Sequence, residues 1–215
     1  VMKVAIDCER FGAEGITVHP RPDERHIRYS DVAQLKDVVK TEFNIEGYPD
    51  DRYMKIIHQV KPAQATLVPD GPDVITSNAG WDIVKQAGLL KEIVAELKSV
   101  GTRVSIFIDP VPTMAEAAAK VGADRVELYT EPYAHGFHQN KEKAVKPYIE
   151  TAQAAQAAGL GINAGHDLDL HNLKFLKQSI PFLDEVSIGH ALISDSLYFG
   201  LENTIQLYLR QLKSS

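Results

Sequence analysis

The sequence predicts an α/β fold of the (β/α)8 barrel kind, a TIM barrel whose first strand lies ahead of residue 1. Three observations carry this. Seven short apolar runs each close on, or hold near their end, a polar or ionisable side chain: GITVHP, EFNIEG, ATLVP, RVSIFID, RVELYT, GINAGH and EVSIGH. Helical patterns lie between them. The runs, centred near residues 17, 44, 67, 106, 127, 163 and 187, are rich in Val, Ile, Phe and Leu. They read as nearly continuous rather than alternating, as expected of strands buried on both faces.

From the N-terminus, VMKVAIDCERFGA reads as a helix, with Cys8 as a small buried residue in it. After the run near 17, Ser30 is placed to cap SDVAQLKDVVK, with Val32, Leu35, Val38 and Val39 on one stripe. The runs near 44 and 67 follow. The stretch 83–100 sets Val84, Leu89, Leu90, Ile93, Val94 and Leu97 on a helical face and stops before Gly101. MAEAAAKVGAD and AQAAQAAGLG each end a helix at glycine and lead into a strand. DSLYFGLENTIQLYLRQL closes the chain as a helix. Repeated βα units predict a parallel sheet. Seven strands are one short of a closed eight-fold barrel, so the first is expected before residue 1. A doubly wound open sheet would need no such strand. No G-x-G-x-x-G motif follows an early strand, which weakens that alternative. No break in composition divides the chain, and one domain over 1–215 is expected.

The 215 residues are enough for a full core. A net charge of -6 without any Lys/Arg cluster argues against a nucleic-acid surface. No apolar run reaches the ~20 residues of a membrane helix, and no signal peptide is visible. The single cysteine excludes a disulfide within the chain and fits a reducing cytoplasm.

In a parallel barrel the site forms at the C-terminal ends of the strands. His19, Glu46, Glu127, His166 and His190 are therefore the candidates, with Thr66 and Asp109 on two further runs. The segment 19–28 holds two histidines and three arginines. Arginine offers a planar fork for phosphate or carboxylate, and histidine exchanges protons near neutrality. Arg25 and Arg28 read as solvated. Glu46 is either a general base with a raised pKa or the partner of a nearby arginine; Glu127 has the same two readings. Gly165-His166 and Gly189-His190 end the last two strands, where many barrels hold a phosphate with backbone N–H groups. The loop 70–82, with Thr76 inside it and Trp81 near its end, reads as a lid or as a plain surface loop. No H-E-x-x-H motif suggests a metal, although ligands could converge from separate strands. No lysine stands at a strand exit, against Schiff-base chemistry.

Taken together, GITVHPRPDERHI, EFNIEGYP, KPAQATLVPD, ITSNAGWD, GADRVELYTEPYA, NAGHDLDLHN and DEVSIGHALISD resemble the pyridoxine 5′-phosphate synthase family over essentially the whole chain. The resemblance implies a (β/α)8 barrel with extra helices, a homo-octamer, and no cofactor or metal. It implies a ring-closing transferase of vitamin B6 biosynthesis. Two phosphorylated substrates, 1-deoxy-D-xylulose 5-phosphate and 3-amino-2-oxopropyl phosphate, would condense to pyridoxine 5′-phosphate, phosphate and water. By resemblance, His19, Glu46 and His166 are acid/base groups and Glu127 stabilises the transition state. Arg21, His26 and Thr76 would contact the deoxyxylulose phosphate. Asp167, Gly189 and His190 would contact the aminoketone phosphate, position 167 through backbone because glycine is frequent there. The family's opening strand has no counterpart in this sequence. Other readings are a metal-dependent sugar-phosphate isomerase or epimerase, and a non-catalytic barrel subunit.

Overall fold

The computed structural model of the protein describes residues 1–71 and 77–213. In chain order its elements are α1 (Met2–Arg10), β1 (Gly15–Val18), α2 (Tyr29–Val38), β2 (Glu42–Gly47), α3 (Asp51–Val60), β3 (Gln64–Leu67), α4 (Ile83–Ser99) and β4 (Arg103–Ile108). Then come α5 (Pro112–Lys120), β5 (Arg125–Tyr129), α6 (Glu131–Ala157), β6 (Gly161–Gly165), α7 (Leu173–Ser179), β7 (Glu185–Ser187), α8 (His190–Phe199) and α9 (Leu201–Leu212). All strand pairs are parallel and the sheet order is β1-β2-β3-β4-β5-β6-β7. Seven strands, not eight, stand among the described residues, and β1 and β7 are the two ends of the order.

The sheet curls into a barrel. Arg103 on β4 approaches Glu185 on β7 to 3.8 Å, a contact between strands three places apart that a strongly curled sheet permits and a flat one does not. The strands do alternate, contrary to the continuous pattern expected from sequence. One set of positions, Val18, Phe43, Ile45, Ala65, Leu67, Val104, Ile106, Ile108, Val126, Leu128, Ile162 and Ala164, joins the main apolar core with the helices. The intervening set is polar: Thr17, Glu42, Asn44, Glu46, Gln64, Thr66, Arg103, Ser105, Arg125, Glu127, Asn163 and Glu185. Side chains on a strand point alternately to its two faces, so the barrel axis is polar here. Most barrels of this kind fill it with branched apolar residues.

Local chemistry explains the element ends. Asp50 accepts from the backbone N–H of Tyr53 at 2.8 Å and caps α3. Ser30 is not the cap of α2; that helix starts at Tyr29, and Asp31 reaches back to accept from the N–H of Arg28 at 3.0 Å. In α4, Leu90, Ile93, Val94 and Leu97 are buried as expected, but Val84 and Leu89 are exposed. The non-helical Gln86 breaks the phase near its start. The last helical stretch is two helices, because Gly200 at φ 77° turns the chain between α8 and α9. Cys8 lies on α1, half-buried rather than buried. Among the described residues no helix is long and apolar enough to cross a membrane.

Candidate active site

The polar axis is layered. At the N-terminal end, Arg103 donates through Nε to Gln64 at 2.9 Å and pairs with Glu42 on β2. Arg125 donates to Asn163 Oδ1 at 2.7 Å and pairs with Glu185 at 3.2 Å. Above this lies a ladder in which Thr66 Oγ1 donates to Asn44 Oδ1 at 3.0 Å and Asn44 Nδ2 donates to Thr17 Oγ1 at 3.3 Å. Glu127 stands in that middle layer, two residues before the end of β5 rather than at its exit, and is only 3% exposed. Gly165 makes room for it. A Cβ on Gly165 would lie 2.3 Å from Glu127 Oε1, so any larger residue there would push this carboxyl from its place.

The C-terminal mouth gathers the remaining candidates. His19 directly follows β1, and its Nδ1 lies 3.9 Å from Glu46 Oε2 on β2. Burial, reinforced by the Arg21 charge and by His166, pushes the His19 imidazolium down to about 3, so this ring is neutral at physiological pH. Burial and the nearby Glu185 push Glu46 up to about 7. Desolvation raises Glu127 well above the ordinary carboxyl range, and Glu46 and Glu185 act in the same direction. Burial thus works against the ionised form of Glu127. Glu185 is pushed up to about 7 by burial and by Glu42, against the pull of Arg125.

His166 follows β6, its ring packed against Phe107 at 5.1 Å and Tyr129 at 5.2 Å between centroids. With Val68, these two aromatics form a small apolar cluster separate from the main core. Burial lowers the His166 pKa. Both His166, at φ 84°, and Asp167, at φ 57°, adopt the left-handed conformation. That geometry supplies a physical reason for glycine to be favoured at position 167.

Arg21 is buried and pairs with Asp70 Oδ2 at 3.1 Å, while Asp70 also accepts from Ser77 Oγ. His26 is exposed but lies in electrostatic range of His19. Arg25 is exposed and pairs with Asp23 at 3.1 Å, and Arg28 is exposed. Gly189 precedes α8, and His190 begins it within electrostatic range of His166. Both residues are exposed, leaving the first N–H groups of α8 at the mouth. Thr76 lies outside the described residues. The far end of its loop is anchored: Gly80 crosses so close to β4 that a Cβ would meet the Asp109 nitrogen at 2.1 Å. Trp81 is buried beneath Tyr48, with ring centroids 5.8 Å apart. Among the described residues no group of three His, Cys, Asp or Glu side chains could hold a metal ion. Sequence reading missed Asp70, Glu185, Arg103 and Arg125. For Arg103 and Glu185 the alternation R-V-S and E-V-S was the available signal, since polar residues at alternate positions mark a polar face of a strand.

A parallel barrel with His19, Glu46 and His166 gathered at its C-terminal mouth over a polar axis defines a class, the acid–base barrel enzymes. The family model described as pyridoxal phosphate biosynthesis protein PdxJ matches residues 1–214, and the chain belongs to that family. The chain is 67% identical over 213 residues to the pyridoxine 5′-phosphate synthase of Cytophaga hutchinsonii, covering 99% of this chain and 90% of that one. It is 57% identical to the protein of the same name from Porphyromonas gingivalis over 212 residues, covering 99% and 89%. Among solved structures, phosphoribosylanthranilate isomerase from Thermotoga maritima matches with a TM-score of 0.66 at 12% identity, covering 100% and 95% of the two chains. Tryptophan synthase from M. tuberculosis matches at 0.66 and 11%, covering 99% and 86%. These two likenesses concern the fold.

Proposed function

We propose that this chain makes pyridoxine 5′-phosphate, condensing 1-deoxy-D-xylulose 5-phosphate with 3-amino-2-oxopropyl phosphate and releasing phosphate and water. The observation that carries the reading is the neutral His19 held 3.9 Å from a Glu46 whose pKa is about 7. A neutral imidazole accepts a proton once an adjacent negative charge, such as ionised Glu46, stabilises the imidazolium. A carboxyl poised near 7 both gives and takes one, which suits repeated proton transfers in imine formation and dehydration. His166 serves as the third acid/base group, in phosphate loss. Glu127 stabilises the transition state: a cationic imine nearby would draw off its proton and leave a buried counter-charge. Arg21, His26 and Thr76 bind the deoxyxylulose phosphate, so Asp70 must yield part of Arg21 to the incoming phosphate. Asp167, Gly189 and His190 bind the aminoketone phosphate, with the α8 N-terminus contributing backbone N–H groups. The chain works as one barrel domain in the cytoplasm without a metal or cofactor. It assembles as a homo-octamer, and the bare apolar side chains of α8, Leu197 at 83% and Tyr198 at 87% exposure, are a surface such an assembly would cover. Incubation with both substrates and detection of pyridoxine 5′-phosphate by its absorbance and mass tests the activity. No product at saturating substrate, or product lost on chelation, would reject it.

A further inference from the structure

Thr130 stands at the N-cap of α6, where a threonine hydroxyl ordinarily accepts from the first free N–H groups of its helix. Here it makes no such bond. The side chain is fully buried and turned the other way, onto the β6 exit. Its Oγ1 lies 2.6 Å from the carbonyl oxygen of Gly165 and 2.5 Å from that of His166, so one hydroxyl proton is placed between two acceptors. The backbone N–H of Thr130 also donates to Gly165 O at 2.9 Å. One residue further on, the buried Asn172 donates through Nδ2 to the carbonyl of Asp167 at 3.0 Å. These bonds close around two consecutive non-glycine residues with positive φ, His166 and Asp167. Such a conformation is unfavourable for a residue with a side chain and persists only where its surroundings enforce it.

We infer that Thr130 is a positioning residue for His166. By holding the carbonyls of residues 165 and 166, its hydroxyl keeps the strained turn that stands the imidazole against Phe107 and Tyr129 at the barrel mouth. Without the hydroxyl, the turn relaxes toward ordinary backbone angles and the ring leaves its place, while the strand and the helix behind it remain. The inference rests on the reading of His166 as an acid/base group.

The test is a kinetic and spectroscopic series on the full chain. Thr130→Val keeps shape and β-branching but removes the hydroxyl. It is expected to lower kcat by at least ~10-fold, with KM for both substrates changed less than ~2-fold. Thr130→Ser is expected to restore most of the rate. Thr130→Ala removes the hydroxyl without pressing a methyl against two carbonyl oxygens; it is scored the same way and covers a valine variant that fails to fold. In a His166→Ala background the Thr130→Val change should cost nothing further, because both act through one group. The ring proton resonance of His166, assigned by its loss in His166→Ala, should move in Thr130→Val and not in Thr130→Ser. Wild-type turnover without the hydroxyl, additive losses in the double variant, or an unmoved ring resonance would overturn the role of Thr130. Near-native turnover in His166→Ala alone would instead remove His166 from the reaction, and this inference with it.

Discussion

Burial favours the uncharged form of both histidine and glutamate in this barrel, and so moves their pKa values in opposite directions. His19 loses its charge because its surroundings are dry and already cationic, whereas Glu46 is carried to about 7 by the same dryness and by Glu185. We expect His19→Ala, Glu46→Gln and His166→Ala each to lower kcat by at least ~10²-fold with the fold intact, as circular dichroism would verify. A base works when deprotonated, so kcat/KM should rise with pH through about 7 as Glu46 ionises. His19, neutral throughout that range, should add no inflection between pH 5 and 9. A profile flat from pH 6 to 8 would take Glu46 out of the base role. Gly165→Ala sets a methyl 2.3 Å from the present position of Glu127 Oε1 and forces that carboxyl to shift. We expect kcat to drop ~10-fold or more while substrate affinity is nearly kept; unchanged turnover would mean that the Glu127 position is immaterial.

Within each strand, neighbouring positions answer to different environments. On β4, Ile106 packs in the helix-facing core, while Ser105 faces the axis with its hydroxyl unpaired among the described residues. Thermal denaturation should separate them. Ile106→Ala is expected to lose about 2–5 kcal/mol through lost burial and the cavity left behind. Ser105→Ala should shift stability by less than ~1 kcal/mol, since no hydrogen bond to a described residue is broken. Equal losses at the two sites would contradict an axis and a shell of opposite character. The polar face was legible in R-V-S-I-F and E-F-N-I-E, yet the density of Val and Ile made these runs read as continuous. The termini of α4 at Gly101 and of α5 at Gly122 were legible, because both glycines take positive φ there. The break at Gly200 was not, because the apolar periodicity runs across it.

At the scale of the molecule, the axis makes stability depend on pH in two directions. A carboxyl whose pKa is raised by folding binds more protons folded than unfolded, so stability falls as pH rises from ~4.5 toward the folded value. Glu46, Glu127 and Glu185 all act in this sense. His19 acts oppositely, its folded pKa being lowered, and withdraws stability as pH falls from ~6.5 toward 3. Stability should therefore peak in mildly acidic solution. Glu127→Gln removes one ionisation that the fold resists. We expect it to melt at least ~2 °C above the parent at pH 8, one pKa unit being ~1.4 kcal/mol, with the gap narrowing toward pH 5. A variant that melts lower than the parent at pH 8 would show that Glu127 is stabilised as a carboxylate.

By itself the sequence determined the parallel βα repeat, the order of its strands, and the positions of His19, Glu46 and His166 near strand ends. Apolar periodicity, glycine stops and the family's motifs are local properties that survive in a linear string. Only the tertiary structure decided that Arg103 meets Glu185 across the axis, that Asp70 holds Arg21, and that Gly165 leaves space for Glu127. Each of these joins residues dozens of positions apart. Their energies arise from shared burial and crossed distances, which exist once the sheet has curled and the water between the strands is excluded.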